Sequence, residues 1–180
     1  MRKTNICAWT ENWENLYSQE EAVLKDIFKD ELIGIFHIGS TSIRAVGYAK
    51  PIIDILIVVK DIEKVDLYNN HMGVLGYEAK GENGIAGRRY FPKGKNDRTH
   101  HVHIFPVGSE HIKTHLAFKE YLIENPAEAK RYGELKINLA KQFPAEHHKY
   151  QTGKQQLVNE LAHKANEWAS CRNFPTDVLE

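Results

Sequence analysis

One acidic residue in a strongly apolar segment is the feature of this sequence best suited to chemistry. Asp54 lies within residues 52–59, where every other side chain is apolar and most are β-branched. A carboxylate buried there without a partner would cost several kcal/mol. Strand alternation would place Asp54 on the same face as Leu56 and Val58. It is therefore either a structural residue that hydrogen-bonds to the backbone or to an arginine, or a functional residue at a ligand or metal site.

A glycine–serine turn with clustered hydroxyl groups precedes this segment. Residues 37–42 have the sequence His-Ile-Gly-Ser-Thr-Ser, which is typical of a strand that runs into a turn and a short helix. Backbone N–H groups at Gly39 and beyond, with the hydroxyls of Ser40, Thr41 and Ser42, can hold phosphate oxygens. A turn of this kind is weak evidence alone, because it also caps helices. An aspartate on the next buried strand makes the combination more specific.

Two histidines alternate along a later predicted strand. His101 and His103 would point to the same side of that strand, whereas His100 would point to the other side. Aimed at Asp54, they would complete a set of two imidazoles and one carboxylate, which suits Zn²⁺, Mn²⁺ or Fe²⁺ better than Mg²⁺. The alternative is a pair of solvent-facing or hydrogen-bonded histidines, which a His-x-His pattern usually means.

Basic residues precede both of these strands. Lys50 and Arg98 would bring positive charge to the same end of the sheet, where it could bind phosphate or carboxylate. Tyr150 and Lys154 are four residues apart and therefore share a helix face, either on a surface helix with a packed tyrosine or beside the site. Residues 147–148, both histidines, are predicted to form a polar loop without a function.

The spacing of apolar residues predicts the elements that position these side chains. A mixed sheet with helices packed against it, followed by a helical C-terminal region from about residue 110, is an α+β arrangement in one domain, 1–180. The predicted elements are a helix over 13–29, strands over 32–38, 52–59, 77–80, 88–92 and 102–107, a helix over 62–75, and later helices beginning at Asn125 and Thr152.

Composition limits the possible partners and location. The chain has 180 residues, with 24 Lys plus Arg and 24 Asp plus Glu, so it lacks the basic excess of a nucleic-acid binder. No stretch approaches the 18 or so apolar residues needed to span a membrane. Cys7 and Cys171 have neither zinc-site spacing nor the density of a disulfide scaffold. With no signal-peptide pattern at the start, we expect a cytoplasmic protein. Its oligomeric state is not predicted.

Two motifs carry a resemblance to a known family. The pairing of Gly39–Ser40 with Asp54 resembles the signature of the polymerase-β-like nucleotidyltransferase fold, in which Gly-Ser holds nucleotide phosphates and strand carboxylates hold a divalent ion. More narrowly, residues 37–41 with residues 50–55 resemble the core motif of the GrpB family. The resemblance implies a nucleotidyltransferase-like sheet and a similarity to a domain fused to some dephospho-CoA kinases. Further matches are Trp13, Arg98, His101, His103, Tyr150 and Lys154.

The sequence also departs from that pattern. Nucleotidyltransferases usually carry a second acid two residues after the first, and this chain has Leu56 there. Losing one hard oxygen ligand weakens the case for a two-metal reaction. The family commonly has Pro-Gly shortly after the Gly-Ser-Thr segment, where residues 44–47 are Arg-Ala-Val-Gly.

Two functions therefore remain open. The first is metal-dependent transfer of a nucleotidyl or phosphoryl group, with Mg²⁺, Mn²⁺ or Zn²⁺ on Asp54, His101 and His103. In that case Asp54 and His103 would be the catalytic residues. The second is a non-catalytic module that binds a nucleotide or another phosphorylated small molecule. In both cases the predicted phosphate-binding residues are Gly39, Ser40, Thr41, Ser42, Lys50, Arg98 and Lys154.

Overall fold

The computed structural model of the protein describes residues 5–172, so the first four and last eight residues of the predicted domain lie outside the described residues. The strands are β1 (Cys7–Ala8), β2 (Leu32–Ile38), β3 (Tyr48–Ala49), β4 (Ile53–Val59), β5 (Arg89–Lys93) and β6 (His100–Pro106). The α-helices are α1 (Asn12–Phe28), α2 (Asn69–Val74), α3 (Glu110–Glu124), α4 (Pro126–Gln142) and α5 (His147–Ser170). Short 3₁₀ helices cover Ser40–Ser42, Arg44–Val46 and Glu63–Tyr68.

The main sheet is mixed, with the strand order β2-β4-β6-β5. Strand β4 pairs antiparallel with β2 and parallel with β6, and β5 runs antiparallel to β6. The predicted central position of β4 is confirmed, because it lies between two strands and its apolar side chains are buried on both faces. A separate two-stranded sheet joins β1 to β3.

Helices cover both faces of this sheet. Ile53, Ile55 and Ile57 face the core formed with α1, whereas Leu56 and Val58 face α3. The helices α3, α4 and α5 pack against one another around a separate apolar cluster. This arrangement confirms the predicted α+β class and the helical C-terminal region. Across residues 5–172, no helix is long and apolar enough to cross a membrane.

Three predicted elements differ from the structure. The helix expected over 62–75 is a 3₁₀ helix followed by the short α2, and apolar residues three apart suit the tighter helix. The strand expected over 77–80 is only an isolated bridge, from Tyr77 to Lys93. Pro92 accepts a hydrogen bond from Glu78 but has no N–H to donate in return, so a regular ladder cannot form. Helix α5 begins at His147 instead of Thr152.

Candidate functional site

The parallel pairing of β4 with β6 brings the predicted carboxylate and imidazoles together. Asp54 lies directly across from His101, and Leu56 lies across from His103. His101 Nδ1 is 3.1 Å from Asp54 Oδ1, and His103 Nε2 is 3.7 Å from the same oxygen. One ligand atom from each of the three residues lies within 4.8 Å of the others. The structure thus brings these three side chains together, and metal binding by them stays a prediction.

Asp54 is held by these histidines and by the glycine–serine turn. Among the residues that the structure describes, its ion-pair partners are histidines, so the alternative of a carboxylate paired with an arginine does not apply. Burial opposes ionisation of Asp54, but the hydrogen bond with His101 and the nearby His103 ring hold its pKa below the usual range. On its other side, the carboxylate packs against Gly39.

His103 is the less satisfied of the two histidines. Its Nδ1 is buried and has no hydrogen-bond partner among residues 5–172. Its Nε2 points at Asp54 from a distance longer than an ordinary hydrogen bond. The ring lies 5.2 Å from the Tyr90 ring and 5.7 Å from the His115 ring, measured between centroids. Of the two ring nitrogens, Nδ1 is therefore unmatched among the described residues, whereas Nε2 has the Asp54 carboxylate within ion-pair distance.

The three hydroxyls of the predicted phosphate turn have different environments. Ser40 lines a cavity, and its side chain hydrogen-bonds with the Tyr132 hydroxyl. The Thr41 hydroxyl is 2.9 Å from His37 Nε2 and donates to the Ile52 carbonyl, although Thr41 also contributes to the cavity wall.

The Ser42 hydroxyl donates to the Gly39 carbonyl at 2.7 Å and so closes the turn internally. These partners correct the expectation that all three hydroxyls point toward a ligand, because two of them satisfy polar groups within the fold. Only the Ser40 hydroxyl keeps the expected position on the cavity.

His37 completes this support for the turn. It is buried, and its ring stacks on the Tyr17 ring with 4.7 Å between centroids. Burial and the nearby Lys119 charge lower the pKa of His37 to about 4, so the ring is neutral at physiological pH. A neutral ring with its proton on Nε2 donates to Thr41, which in turn donates to the Ile52 carbonyl.

A cavity of about 320 Å³ opens beside the turn and Asp54. Its wall combines the turn and β4 with His101 and with residues of α4 and α5. Three lysines share this cavity: Lys50, Lys136 and Lys154. Each lies against a tyrosine ring. Lys136 Nζ is 4.5 Å from the Tyr132 centroid, and Lys50 and Lys154 are 4.5 and 5.6 Å from the Tyr150 centroid.

Of the two lysines from the helical region, Lys136 is buried and Lys154 is half-buried, and neither has a counter-ion among the described residues. The Lys136 side chain is 3% exposed, and no carboxylate of the described chain forms an ion pair with Lys136 or Lys154. Burial, with repulsion from Lys154, lowers the pKa of Lys136 to about 7, and burial also lowers the pKa of Lys154. The cavity therefore holds lysines that no ion pair within residues 5–172 neutralises, although the Asp54 charge acts on both of them.

The structure changes several of the sequence-based assignments. Ser42, Arg98 and His103 are not among the residues that line the cavity. Arg98 is expected at the sheet end, but its charge acts on Glu78, whose pKa it helps to lower together with Lys80. Lys50 and Lys154 do line the cavity, as expected.

Among the residues of the cavity wall that sequence reasoning did not assign to a site are Phe118, Tyr132, Lys136 and His147. His147 was expected in a loop and instead begins α5. A repeated spacing in the sequence could have identified α4 as part of the site. A lysine follows a tyrosine by one helical turn both in Tyr132 and Lys136 and in Tyr150 and Lys154.

Fold and site together define an α+β protein whose central strand carries a carboxylate into a lysine-lined cavity covered by C-terminal helices. The chain belongs to the GrpB family, whose model, described as GrpB protein, matches residues 3–164. This match confirms the family resemblance found in the sequence.

Individual relatives agree with this assignment. The chain is 46% identical over 172 residues to UPF0157 protein YqkA of Bacillus subtilis, covering 96% of this chain but only 50% of that protein. It is 34% identical over 157 residues to glutamate-rich protein GrpB of Alkalihalophilus pseudofirmus, covering 84% of this chain and 90% of the relative. The crystal structure of conserved protein GrpB from Enterococcus faecalis superposes with a TM-score of 0.81 at 41% identity, covering 89% of this chain and 98% of that one.

Proposed function

We propose that this protein binds a phosphorylated small molecule in the lysine-lined cavity. The observation that carries the proposal is that Lys136, which is buried, and Lys154, which is half-buried, lie on the cavity wall without an ion-pair partner among residues 5–172. Removing an ammonium group from water costs several kcal/mol unless the lysine loses its proton or an anion is bound beside it. A phosphate group supplies that anion, and lysine is a common phosphate ligand.

The charge balance of the cavity favours an anionic ligand over a neutral one. Among the residues that line the cavity, Asp54 is the one acid, and the lysines without an ion pair in the described chain, Lys136 and Lys154, outnumber it. Positive charge therefore exceeds negative charge when the lysines are protonated. The volume of about 320 Å³ lies at the small end of the range for small-molecule sites. Both properties suit a compact phosphorylated metabolite or a nucleotide better than a peptide or a nucleic acid.

A nucleotide is the ligand that the resemblance to nucleotidyltransferases favours. Ser40 lies on the cavity wall, at the position where the resemblance implies a phosphate contact. Phe118 lines the same cavity and is half-buried, so its ring could contact a base. In a working enzyme of this class, a divalent ion near Asp54 would assist transfer of a phosphoryl or nucleotidyl group. The general-base role expected for His103 belongs to this reaction and stays a prediction.

A non-catalytic binding module is the second candidate. It is favoured by Leu56, which is fully buried in an apolar cluster where the enzymes carry their second acid. Such a protein would bind the same phosphorylated compounds through the same lysines and would lack turnover. The two candidates therefore share the binding proposal and differ in the metal and in the reaction.

The binding proposal is tested with a panel of phosphorylated compounds. Thermal shift and calorimetry on the full chain would compare inorganic phosphate, sugar phosphates and nucleoside mono-, di- and triphosphates with their unphosphorylated counterparts. We expect at least one phosphorylated compound to bind, and Lys136→Met and Lys154→Met to weaken its binding about tenfold or more.

The matched control is Lys141→Met, which removes an exposed lysine from the same helix as Lys136 and should leave binding unchanged. Failure of every phosphorylated compound to bind at millimolar concentration would contradict the proposal. Equal binding by all three variants and the wild type would contradict the assignment to this cavity.

A further inference from the structure

We infer that Asp54, His101 and His103 bind a divalent transition-metal ion such as Mn²⁺ or Zn²⁺ at the wall of the cavity. The inference depends on the proposed function in one respect. The phosphorylated ligand of that proposal would fill the coordination position of the ion that the protein leaves open. Its support comes from the geometry of the three side chains, from the long contact between His103 Nε2 and Asp54 and from the residue that replaces the expected second acid.

The spacing of the three donor atoms fits one small ion. Asp54 Oδ1 lies 3.1 Å from His101 Nδ1 and 3.7 Å from His103 Nε2. In a tetrahedral site with bonds of about 2.0–2.1 Å, ligand atoms lie about 3.3 Å apart. The two separations from Asp54 lie on either side of that value, and the two histidine nitrogens are within 4.8 Å of each other. Small rotations of the side chains would therefore bring all three atoms to bonding distance of one ion.

The environment of His103 favours a ligand role over a structural one. Its side chain is 15% exposed, and its buried Nδ1 lacks a partner among residues 5–172. Its Nε2 is oriented toward the carboxylate without reaching hydrogen-bond distance. A metal ion between His103 and Asp54 would satisfy Nε2 at the observed separation.

The position of His103 also accounts for the missing acid. Leu56 occupies the second-acid position on β4, and the parallel register places His103 directly across from it on β6. Strand β6 thus supplies a nitrogen ligand at the position where β4 lacks an oxygen ligand. Because Mg²⁺ prefers oxygen ligands, this exchange shifts the preference toward Mn²⁺, Zn²⁺ and related ions.

The site is open to the cavity on one side. Asp54 and His101 line the cavity together with the three lysines. Three protein ligands leave at least one coordination position unfilled, which is the pattern of catalytic metal sites and not of closed structural ones. An ion at this place would add positive charge beside the lysines and strengthen attraction for a phosphate oxygen.

The test measures metal binding directly. The full chain, stripped with a chelator, would be titrated with Mn²⁺ and Zn²⁺ by calorimetry and with Co²⁺ by visible absorption, which reports four-coordinate geometry. We expect one ion per chain, and we expect Asp54→Asn, His101→Ala and His103→Ala each to weaken binding about tenfold or more. The control is His111→Ala, which removes an exposed histidine that stacks on Phe105 and should leave binding unchanged.

The outcomes separate this inference from the proposed function. Absence of ion binding, or equal binding by the wild type and all three site variants, overturns the inference, and melting curves identify any variant that is unfolded. Asp54→Asn is nearly isosteric and keeps the test decisive if an alanine variant fails to fold. Phosphate binding that persists in chelator, without any metal binding, would contradict the metal site alone. Metal binding without affinity for any phosphorylated compound would contradict the proposed function alone.

Discussion

Gly39 and Asp54 are in direct contact, so that a Cβ atom at position 39 would lie only 2.7 Å from Asp54 Oδ2. The glycine also has a φ of +69°, in the region that other residues rarely adopt. The turn and the carboxylate therefore form one unit, in which the absence of a side chain at residue 39 fixes where the carboxylate lies. This relationship explains why a glycine precedes Ser40 at the cavity.

We expect Gly39→Ala to impair both stability and the site. Backbone strain and the clash with Asp54 should together lower the free energy of unfolding by roughly 2–4 kcal/mol and should displace the carboxylate. Gly47→Ala is the matched control, because Gly47 has a similar φ of +74° but open space around a new Cβ. Urea denaturation should show a loss of about 1–2 kcal/mol for the control. Equal losses in the two variants would contradict a role for the Gly39–Asp54 contact.

Lys136→Met should stabilise the protein in the absence of a ligand. The buried ammonium group is destabilising, and methionine has a similar length without the charge, so we expect a gain of roughly 1–4 kcal/mol at pH 6. Lys141→Met, on the exposed side of the same helix, should change stability little. Chemical denaturation at pH 6 measures both effects. A Lys136→Met variant less stable than the wild type would show that the lysine is structurally satisfied.

The same lysine predicts a pH dependence of stability. Its pKa is about 7 in the folded protein and about 10.4 in the unfolded chain. Between these values the unfolded chain binds more protons, so the contribution of Lys136 to stability rises as pH increases from about 7 to 10. Comparing the wild type with Lys136→Met over this range should show a steeper rise for the wild type. Parallel curves would contradict the lowered pKa.

Two hydroxyls of the turn should respond differently to removal. Thr41→Val deprives buried His37 and the Ile52 carbonyl of a partner and should cost roughly 1–3 kcal/mol of stability. Ser40→Ala should cost less stability but weaken binding of a phosphorylated ligand, because Ser40 faces the cavity. Melting curves and calorimetry on both variants distinguish the two roles. A Thr41→Val variant with full stability and lost binding would reverse this assignment.

The sheet and its carboxylate were accessible from the sequence because their signals are local. A nearly uninterrupted apolar run predicts a central strand. Alternation places His101 and His103 on one face of their own strand. Their meeting with Asp54 further required that β4 and β6 be parallel neighbours in a register that aligns Asp54 with His101. That register was not predictable from either strand alone.

The helical half of the cavity depends on tertiary packing and was predicted less well. Lys136 resembles any helix lysine in the sequence, and only the packing of α4 against the rest of the fold buries it. Thr152 and Gly153 resemble a helix start, which displaced the predicted boundary of α5. In the structure, Gly153 lies inside the helix and a Cβ there would be 2.6 Å from a methyl group of Leu139. This glycine serves close helix packing, which local sequence patterns do not reveal.

The most direct test of the account is calorimetric titration of the best phosphorylated ligand from the panel, with and without Mn²⁺. If the lysines and the Asp54–His101–His103 set act on one ligand, Mn²⁺ should raise its affinity about tenfold or more, and the ligand should raise Mn²⁺ affinity by the same factor. His103→Ala should abolish this coupling while leaving the metal-free affinity in place, and Lys136→Met should weaken binding under both conditions. Equal affinity with and without Mn²⁺, unchanged in Lys136→Met, would contradict the account.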